Sequence, residues 1–538
     1  MNRQGRILIM DDEERWREML SGTLTRGGFL VHTAPTAKEA LQRLEETFYH
    51  VLVLDLRMEE RNPDNFDGMT LLNEIKKRGL NPAIKVIMLS AYGTTEQMRV
   101  TFKDYQVVDF VPKDQFDNKV FLENLRQIFL TKVRINLDLA IHWQQGSSAE
   151  TAVLNMEIAG TRVKRNSPLQ QRTALELDDL LCRLFYKAQS IIVQPLIPGL
   201  SGARVLQIHP FFSDGGGHSV VVKFGFAEKI EGEHKNFKSY VQSFFGGRRT
   251  TITEEVRRTP HLGGIVYSLV GAENERLENF GSFYQRATLS QIASVIDELF
   301  LTTCNTWYAN PGVLQPRNLT EDYQQLFGSK LERMEQKVSE ALQFMPGKHR
   351  HTFKSLSGTR TFTNPIQAAT GQIMIYPTYV CITHGDFNHN NIFVDTDGHT
   401  WLIDFQNTGR GHILRDVAML DSTIRFQLLE TEETTLEECL ELEEALNSIT
   451  RFSHISQLTD KLVTQNPALQ KAYDTVVHLR MIARKLVAQN SNDDISEYYA
   501  ALFYNALNAL HFTTLSQRQH EHAMLSASIL ADRLKLVR

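Results

Sequence analysis

Cysteine is scarce in this chain: there are four in 538 residues, Cys182, Cys304, Cys381 and Cys439, with no CxxC spacing among them. That excludes a disulfide framework and offers no zinc-site pattern, which fits a reducing, cytoplasmic compartment. Long hydrophobic runs are also missing. The N-terminal run Ile7 to Met10 ends at once in Asp11 and Asp12, too short for a signal-peptide core, and nothing approaches the ~18 apolar residues of a spanning helix. Nor does charge of one sign dominate. A net charge of −5 gives no general attraction to nucleic acid or anionic lipid, so neither DNA nor membrane is expected as a partner. There is no internal repeat and no low-complexity tract. What remains is an ordinary globular composition, 42% hydrophobic and 22% charged, long enough for about three or four domains.

From Arg6 to Phe129, apolar runs of strand length alternate with amphipathic helices, the pattern of a parallel sheet covered on both faces. The runs RILIM, LVHTA, HVLVLDL, IKVIMLS and VDFVP predict a five-stranded, doubly wound α/β domain over residues 5–130. Trp16, Met19, Leu20 and Leu24 share one helix face ahead of Gly27 and Gly28, and Thr36 with Glu39 reads as a capping box. Residues 131–174 read as a linker or small α/β connector. There Ile135, Leu137, Leu139, Ile141 and Trp143 alternate as in a strand. An amphipathic helix is expected over Leu175 to Tyr186, then a β-rich lobe to residue 272, with a helix around Glu233 to Phe245. Helical patterns dominate residues 273–538. The acidic segment after Thr435, with a capping box at Thr435 and Glu438, is expected to be a solvated helix.

In an open α/β sheet the functional crevice lies outside the carboxyl ends of the strands. That gathers Asp11, Asp12, Asp55, Ser90 and Lys113 at one edge. Three carboxylates there would repel unless a cation joined them, and hard oxygen ligands suit Mg²⁺. Asp55 can act as nucleophile toward phosphorus, with Lys113 and the Ser90 hydroxyl facing the phosphoryl oxygens. The segment resembles the receiver domain of bacterial response regulators. The resemblance implies phosphorylation of Asp55, Mg²⁺ held by Asp11, Asp12, Asp55 and the backbone carbonyl of Arg57, and a switch made of Ser90, Phe110 and Lys113. It also implies a cognate sensor histidine kinase and is compatible with a homodimer through the receiver. Two departures stand out: Lys113 is followed by Asp114 rather than proline, and EERNPDNF lengthens the loop after Met58.

A second cluster lies in CITHGDFNHNNIFVD, residues 381–395, followed by WLIDFQ. Phosphoryl transfer from a nucleotide needs a carboxylate to orient the acceptor hydroxyl and metal ligands to hold the phosphates in line. Asp386 fits the first role, Asn391 and Asp404 the second. Upstream, Lys223 ends an apolar strand and suits phosphate oxygens. Glu233, with Glu228 and Glu231 as alternatives, could hold that lysine, and the turn around Ser201 and Gly202 could approach a phosphate through backbone N–H groups. This half resembles the aminoglycoside phosphotransferase and choline kinase family, on His384, Gly385, Asp386, Asn391, Asp404, Phe405 and the later Asp416-Val417-Ala418. The resemblance implies a bilobal protein-kinase-like α+β fold with a β-rich N-lobe and a helical C-lobe, and ATP with Mg²⁺ on Asn391 and Asp404. The expected whole is a two-component response regulator whose output domain is an ATP-dependent phosphotransferase acting on an unidentified hydroxyl, of a small molecule or a protein. The alternative is a nucleotide-binding pseudokinase or scaffold output.

Overall fold

The fold is that of a computed structural model, and the residues described are 3–55, 67–90, 105, 107–196, 203–244, 250–252, 255–269, 277–327, 349–355, 358–370, 372–429 and 434–536. The chain divides into two compact units, one of Met1–Gly232 with Ile252–Ser268, the other of Glu233–Thr251 with Leu269–Arg538.

In the first unit, strands β1 (Arg6–Met10), β2 (Leu30–Ala34), β3 (Val51–Leu54), β4 (Lys85–Ser90) and β5 (Val107–Pro112) form a parallel sheet in the order β2-β1-β3-β4-β5. Successive side chains of a strand point to opposite faces, and here both faces are covered. Ile7, Ile9, Val51, Val53, Ile87 and Leu89 enter one core, and Leu8, Met10, Leu52, Leu54, Val86 and Met88 the other. Helices α1 (Glu14–Arg26), α2 (Ala37–Glu46), α3 (Asp67–Arg78) and α4 (Asn118–Ile128) supply the layers. Thr36 caps α2 by accepting the Glu39 N–H at 3.2 Å.

The first of those cores does not stop at the sheet. It continues from Phe121, Leu125 and Ile128 of α4 into helix α5 (Pro168–Leu184) through Leu177, Leu180 and Leu181, and on to a second sheet. That sheet contains β6 (Ala140–Trp143), β7 (Ser190–Pro195), β8 (Arg204–Phe212), β9 (Val220–Phe226) and β10 (Leu262–Leu269), in the order β10-β9-β8-β7-β6. Only four residues of the alternating run pair as β6, parallel to β7; Ile135 and Leu139 instead fill the shared core. Helix α5 begins seven residues before the expected Leu175, because Ser167 accepts the Gln170 N–H and Pro168 occupies the first turn.

Polar contacts pin α5 to the five-stranded sheet. His50, immediately before β3, accepts the Arg6 N–H on Nδ1 at 2.9 Å, so Nε2 carries the proton and donates to Asp179 Oδ1 at 2.6 Å. Arg183 Nε donates to the other Asp179 oxygen at 2.6 Å. Burial keeps His50 below the usual imidazole range. Burial alone would raise Asp179, but Arg183 and His50 hold it well below the usual carboxylate range. Arg3 pairs with the neighbouring Asp178.

Helix α6 (Ala227–Tyr240) starts earlier than expected, so Glu233 sits in its middle rather than at its opening. The second unit is mainly helical. Its short strands β11 (Val380–Thr383) and β14 (Gly409–His412) pair antiparallel, as do β12 (Ile392–Val394) and β13 (Thr400–Leu402). Helices α7 (Arg415–Thr423), α8 (Leu436–Leu446), α9 (Pro467–Leu486), α10 (Ser496–Ala509) and α11 (Gln517–Arg533) follow. Among the described residues no helix is long and apolar enough to cross a membrane.

The acidic helix α8 has its capping box at Thr435 and Glu438 but is not simply a solvated face. Its Glu443 is fully buried and accepts from Arg425 at 2.8 Å, Ser526 at 2.7 Å and His522 at 2.9 Å. Arg425 also donates to Asp421 at 2.6 Å, which takes Arg480 at 3.0 Å and the Tyr498 hydroxyl at 2.9 Å. Burial alone would lower His522, but Cys439 and Glu443 raise it to about 9. A histidine raised above its unfolded value of about 6.5 contributes stability that is complete below that pH and lost as pH rises through about 9. Scanning calorimetry should therefore show the melting temperature of the second unit falling between pH 6.5 and 9. In His522→Gln it should be lower and nearly flat across that window, and a flat wild-type profile would exclude a charged His522.

Candidate functional site

The first site is built at the carboxyl ends of β1, β3 and β5. Lys113, just past β5, reaches Asp55 Oδ2 at 2.7 Å, Asp11 Oδ2 at 2.9 Å and Glu13 Oε1 at 2.8 Å. Carboxylate oxygens of Asp11, Asp12 and Asp55 all lie within 4.8 Å of one another. Asp11 and Asp55 are buried, and burial raises Asp11 to about 6 despite the nearby ammonium. Burial alone would lower Lys113, but hydrogen bonds to Asp55 and Glu13 hold it above the usual lysine range. Its ammonium also lies 5.2 Å from the centroid of the Trp16 ring. The turn after β1 is held by Arg17, which donates to the carbonyls of Asp11 and Asp12 at 2.8 and 2.7 Å.

Phe110 is half-buried on β5 against the second core. Ser90 ends β4, but its side chain, like Arg57, Ser201 and Gly202, lies outside the described residues. Glu13 and Trp16 were not singled out from the sequence as site residues. Lying in the same acidic turn as Asp11, Glu13 carried a signal; Trp16 read only as part of a helix face.

The second cluster belongs to the second unit. Between β11 and β12 the loop His384–Asn391 turns back on itself. Asn391 Nδ2 donates to the Asp386 carbonyl at 2.8 Å, and Asn388 Nδ2 to Asp386 Oδ1 at 2.8 Å. His384 is fully buried. Its Nδ1 accepts the Asp386 N–H at 3.3 Å, so Nε2 carries the proton and donates to the Ile403 carbonyl at 3.0 Å. Burial keeps this imidazole below its usual range, and its role is support. Asp404 sits just after β13 with φ of 70°, the left-handed region that non-glycine residues rarely adopt. Phe405 N–H donates to Glu233 Oε1 at 3.2 Å, and the Ile403 N–H to the Asn391 carbonyl at 3.1 Å. Asp386, Asn391, Asp404 and Glu233 are thus linked within one unit. Lys223, buried in β9, belongs to the other unit.

The loop is fastened from α7. Asp416, fully buried, accepts the His384 N–H at 2.7 Å, the Gly385 N–H at 2.9 Å and the Tyr308 hydroxyl at 2.8 Å. Asp416 stands in the sequence as part of a motif, but its fastening role is not legible there. The Arg415 guanidinium lies against Gly385, whose φ is 81°; a Cβ at that glycine would fall 1.7 Å from Arg415 Nη2.

The sequence model of the family Ternary complex associated domain 9 matches residues 188–353 and 348–511, together more than half of the chain. The model of the response regulator receiver domain matches residues 7–126. The chain belongs to the ternary complex associated domain 9 family and carries an N-terminal response regulator receiver domain. Over 134 residues it is 35% identical to a protein-glutamate methylesterase/protein-glutamine glutaminase 2 of Koribacter versatilis, covering 24% of this chain and 34% of that protein. Over 112 residues it is 31% identical to the transcriptional regulatory protein ZraR of Escherichia coli K12, covering 21% of this chain and 24% of that one. The chain thus spans about a quarter to a third of the length of these curated relatives. Among solved structures, the receiver domain of NtrX from Brucella abortus matches at 28% identity, over 23% of this chain and 98% of that one, with a TM-score of 0.20. By its match to the receiver family, the acidic cluster around Asp55 belongs to a receiver domain of two-component signalling.

The Asp416 contacts generate a testable outcome. Asp416→Ala leaves two buried loop N–H groups and a buried phenol without their acceptor, which costs about 3 kcal/mol. Hydrogen exchange should show the His384 and Gly385 amides losing protection well before amides of α10. Unchanged protection there would mean the loop is held by other contacts.

Proposed function

We propose that the receiver takes a phosphoryl group on Asp55 from a sensor histidine kinase, and that the second half is an ATP-dependent phosphotransferase acting on a hydroxyl. In the first step an Asp55 oxygen forms a bond to phosphorus while the P–N bond of the donor phosphohistidine breaks, its electron pair returning to the imidazole. Asp11, Asp12 and Asp55 present a set of close oxygen donors that fits Mg²⁺, with the Arg57 carbonyl as the further expected ligand. When bound, the ion offsets the charge of the phosphoryl oxygens. Lys113 supplies a cation to the same oxygens, Ser90 a hydroxyl, and Phe110 the rotamer switch expected of it. A homodimer through the receiver is compatible with this reading.

The phosphotransferase reading is supported by one arrangement above all: Asp416 holds both backbone N–H groups of His384 and Gly385, which orients Asp386, while Asn391 ties the far end of the same loop. Asp386 would take the proton of the acceptor hydroxyl as its oxygen bonds to the γ-phosphorus of ATP and ADP leaves. Asn391 and Asp404 are the residues that would hold Mg²⁺ on the nucleotide. Lys223, Ser201, Gly202 and Glu233 enter as the nucleotide-side groups expected from their sequence positions. The reading takes the β-rich stretch 175–272 and the helical stretch 273–538 as lobes of a kinase-like fold, with residues 131–174 as a connector. A second reading, a nucleotide-binding scaffold that works by association, is favoured by the family's description as a domain associated with a ternary complex.

Two measurements test these readings. Asp55→Asn should abolish labelling by a cognate kinase or acetyl phosphate, and retained full labelling would refute the assignment. Asp386→Ala should abolish transfer of ³²P from ATP to any acceptor while leaving calorimetric ATP-Mg²⁺ binding within about twofold. Binding without transfer in the wild type would instead select the scaffold.

A further inference from the structure

We propose that the second unit carries an anion site separate from the Asp386 cluster, shaped for a phosphate monoester or inorganic phosphate. A cavity of about 240 Å³ opens between the segment after β13 and the helix Leu319–Phe327, lined by Arg317, Tyr323, Asn407, Arg410, His412 and Arg415 among others. Drug-sized ligands occupy pockets of roughly 300 Å³ and more; this one suits a small group.

Its charge selects the ligand. Three guanidinium groups line the cavity against one carboxylate, Asp322, which pairs with Arg317. Among the described residues Arg410 and Arg415 have no carboxylate within ion-pair distance. His412 is buried between the Tyr323 hydroxyl at 3.2 Å and Glu497 at 3.3 Å. The excess of two positive charges matches a dianion. Guanidinium forks bind phosphate through paired N–H donors, and a phosphate dianion offers two forks more acceptor oxygens and one more negative charge than a carboxylate does.

The site is built rather than incidental. Arg415 donates through Nη2 to the Asn407 carbonyl at 2.8 Å. A Cβ at Gly385 would fall 1.7 Å from that nitrogen, and a Cβ at Gly411 would fall 2.9 Å from Nη1. The absence of side chains at 385 and 411 is what lets the guanidinium lie there. Its Nε is shielded from solvent and makes no hydrogen bond among the described residues. Arg410, on the exposed edge of β14, supplies the second fork from the strand that pairs with β11. The next residue after Arg415 is Asp416, which fastens the His384–Gly385 backbone. An anion drawn onto Arg415 and Arg410 therefore clamps the segment Asn407–Gly411 beside the loop that carries Asp386.

The test uses the full chain in the Asp55→Asn background with EDTA present, so that the receiver site does not contribute. Calorimetric titration with inorganic phosphate should show saturable binding at one site, with sulfate competing and acetate much weaker. Because Arg410 is exposed, Arg410→Gln should fold normally by circular dichroism and weaken phosphate binding roughly tenfold or more; Arg410→Lys should lie between. Phosphoserine binding as tightly as inorganic phosphate would identify the monoester as the ligand, and binding confined to inorganic phosphate would identify the free ion. No saturable binding, or equal binding by the wild type and Arg410→Gln, would overturn the site. Titration of the same variants with ATP-Mg²⁺, in buffer without EDTA, keeps the two proposals apart. Phosphate binding lost in Arg410→Gln with ATP binding absent throughout would sink the phosphotransferase reading and leave the anion site standing.

Discussion

One apolar core shared by the receiver sheet and the second sheet constrains the whole N-terminal unit. Ile7, Val51 and Ile87 on the receiver side and Leu206, Val222 and Val266 on the other belong to the same buried cluster, with α5 between them. Burial of such side chains stabilises by roughly 25 cal/mol per Å² removed from water. The receiver is therefore packed against α5, which carries the same core on to the second sheet. The His50–Asp179–Arg183 chain adds direction to that contact: the Arg6 N–H fixes His50 as a donor through Nε2, and Asp179 accepts from His50 and Arg183 on its two oxygens. His50 leads directly into β3, which is followed at once by Asp55, so the strand that leads to Asp55 is anchored at its other end to α5.

Both functional clusters follow one electrostatic rule, that a buried carboxylate needs donors. In the receiver, Asp55, Asp11 and Glu13 share the ammonium of Lys113, and a divalent ion or a phosphoryl group would redistribute that sharing. In the second unit Asp416 is satisfied by two backbone N–H groups and a phenol. Among the described residues it has no cation partner, so its hold on the loop rests on fixed backbone and phenol donors. The Asp421–Arg425–Glu443 network applies the same rule deep in the helical core, where removing any one partner strands a charge.

Much of this was legible in the chain itself. The five receiver strands, their polar ends and the Asp11, Asp55 and Lys113 set follow from continuous apolar runs of strand length between amphipathic helices and from the chemistry of residues at strand ends. So does the loop holding Asp386 and Asn391, because its polar residues sit compactly between two apolar strands. The helix around Glu233 and the start of α5 were misplaced, since apolar periodicity marks a buried stripe and not the cap that begins a helix. Ser167-Pro168 decided one boundary. The acidic helix was read as solvated because nothing in a run of glutamates says which one faces inward.

What the sequence determined by itself is local: strand and helix type, the end of a strand where a carboxylate stands, and the chemical kind of each site residue. Those depend on neighbours two to four residues away. The tertiary structure alone decided the pairings across long separations. Lys113 with Glu13, His50 with Asp179, Asp416 with the His384–Gly385 backbone, and Arg415 against two glycines are contacts whose partners carry no mark of one another in the chain. They form because burial leaves each of those groups few donors or acceptors within reach.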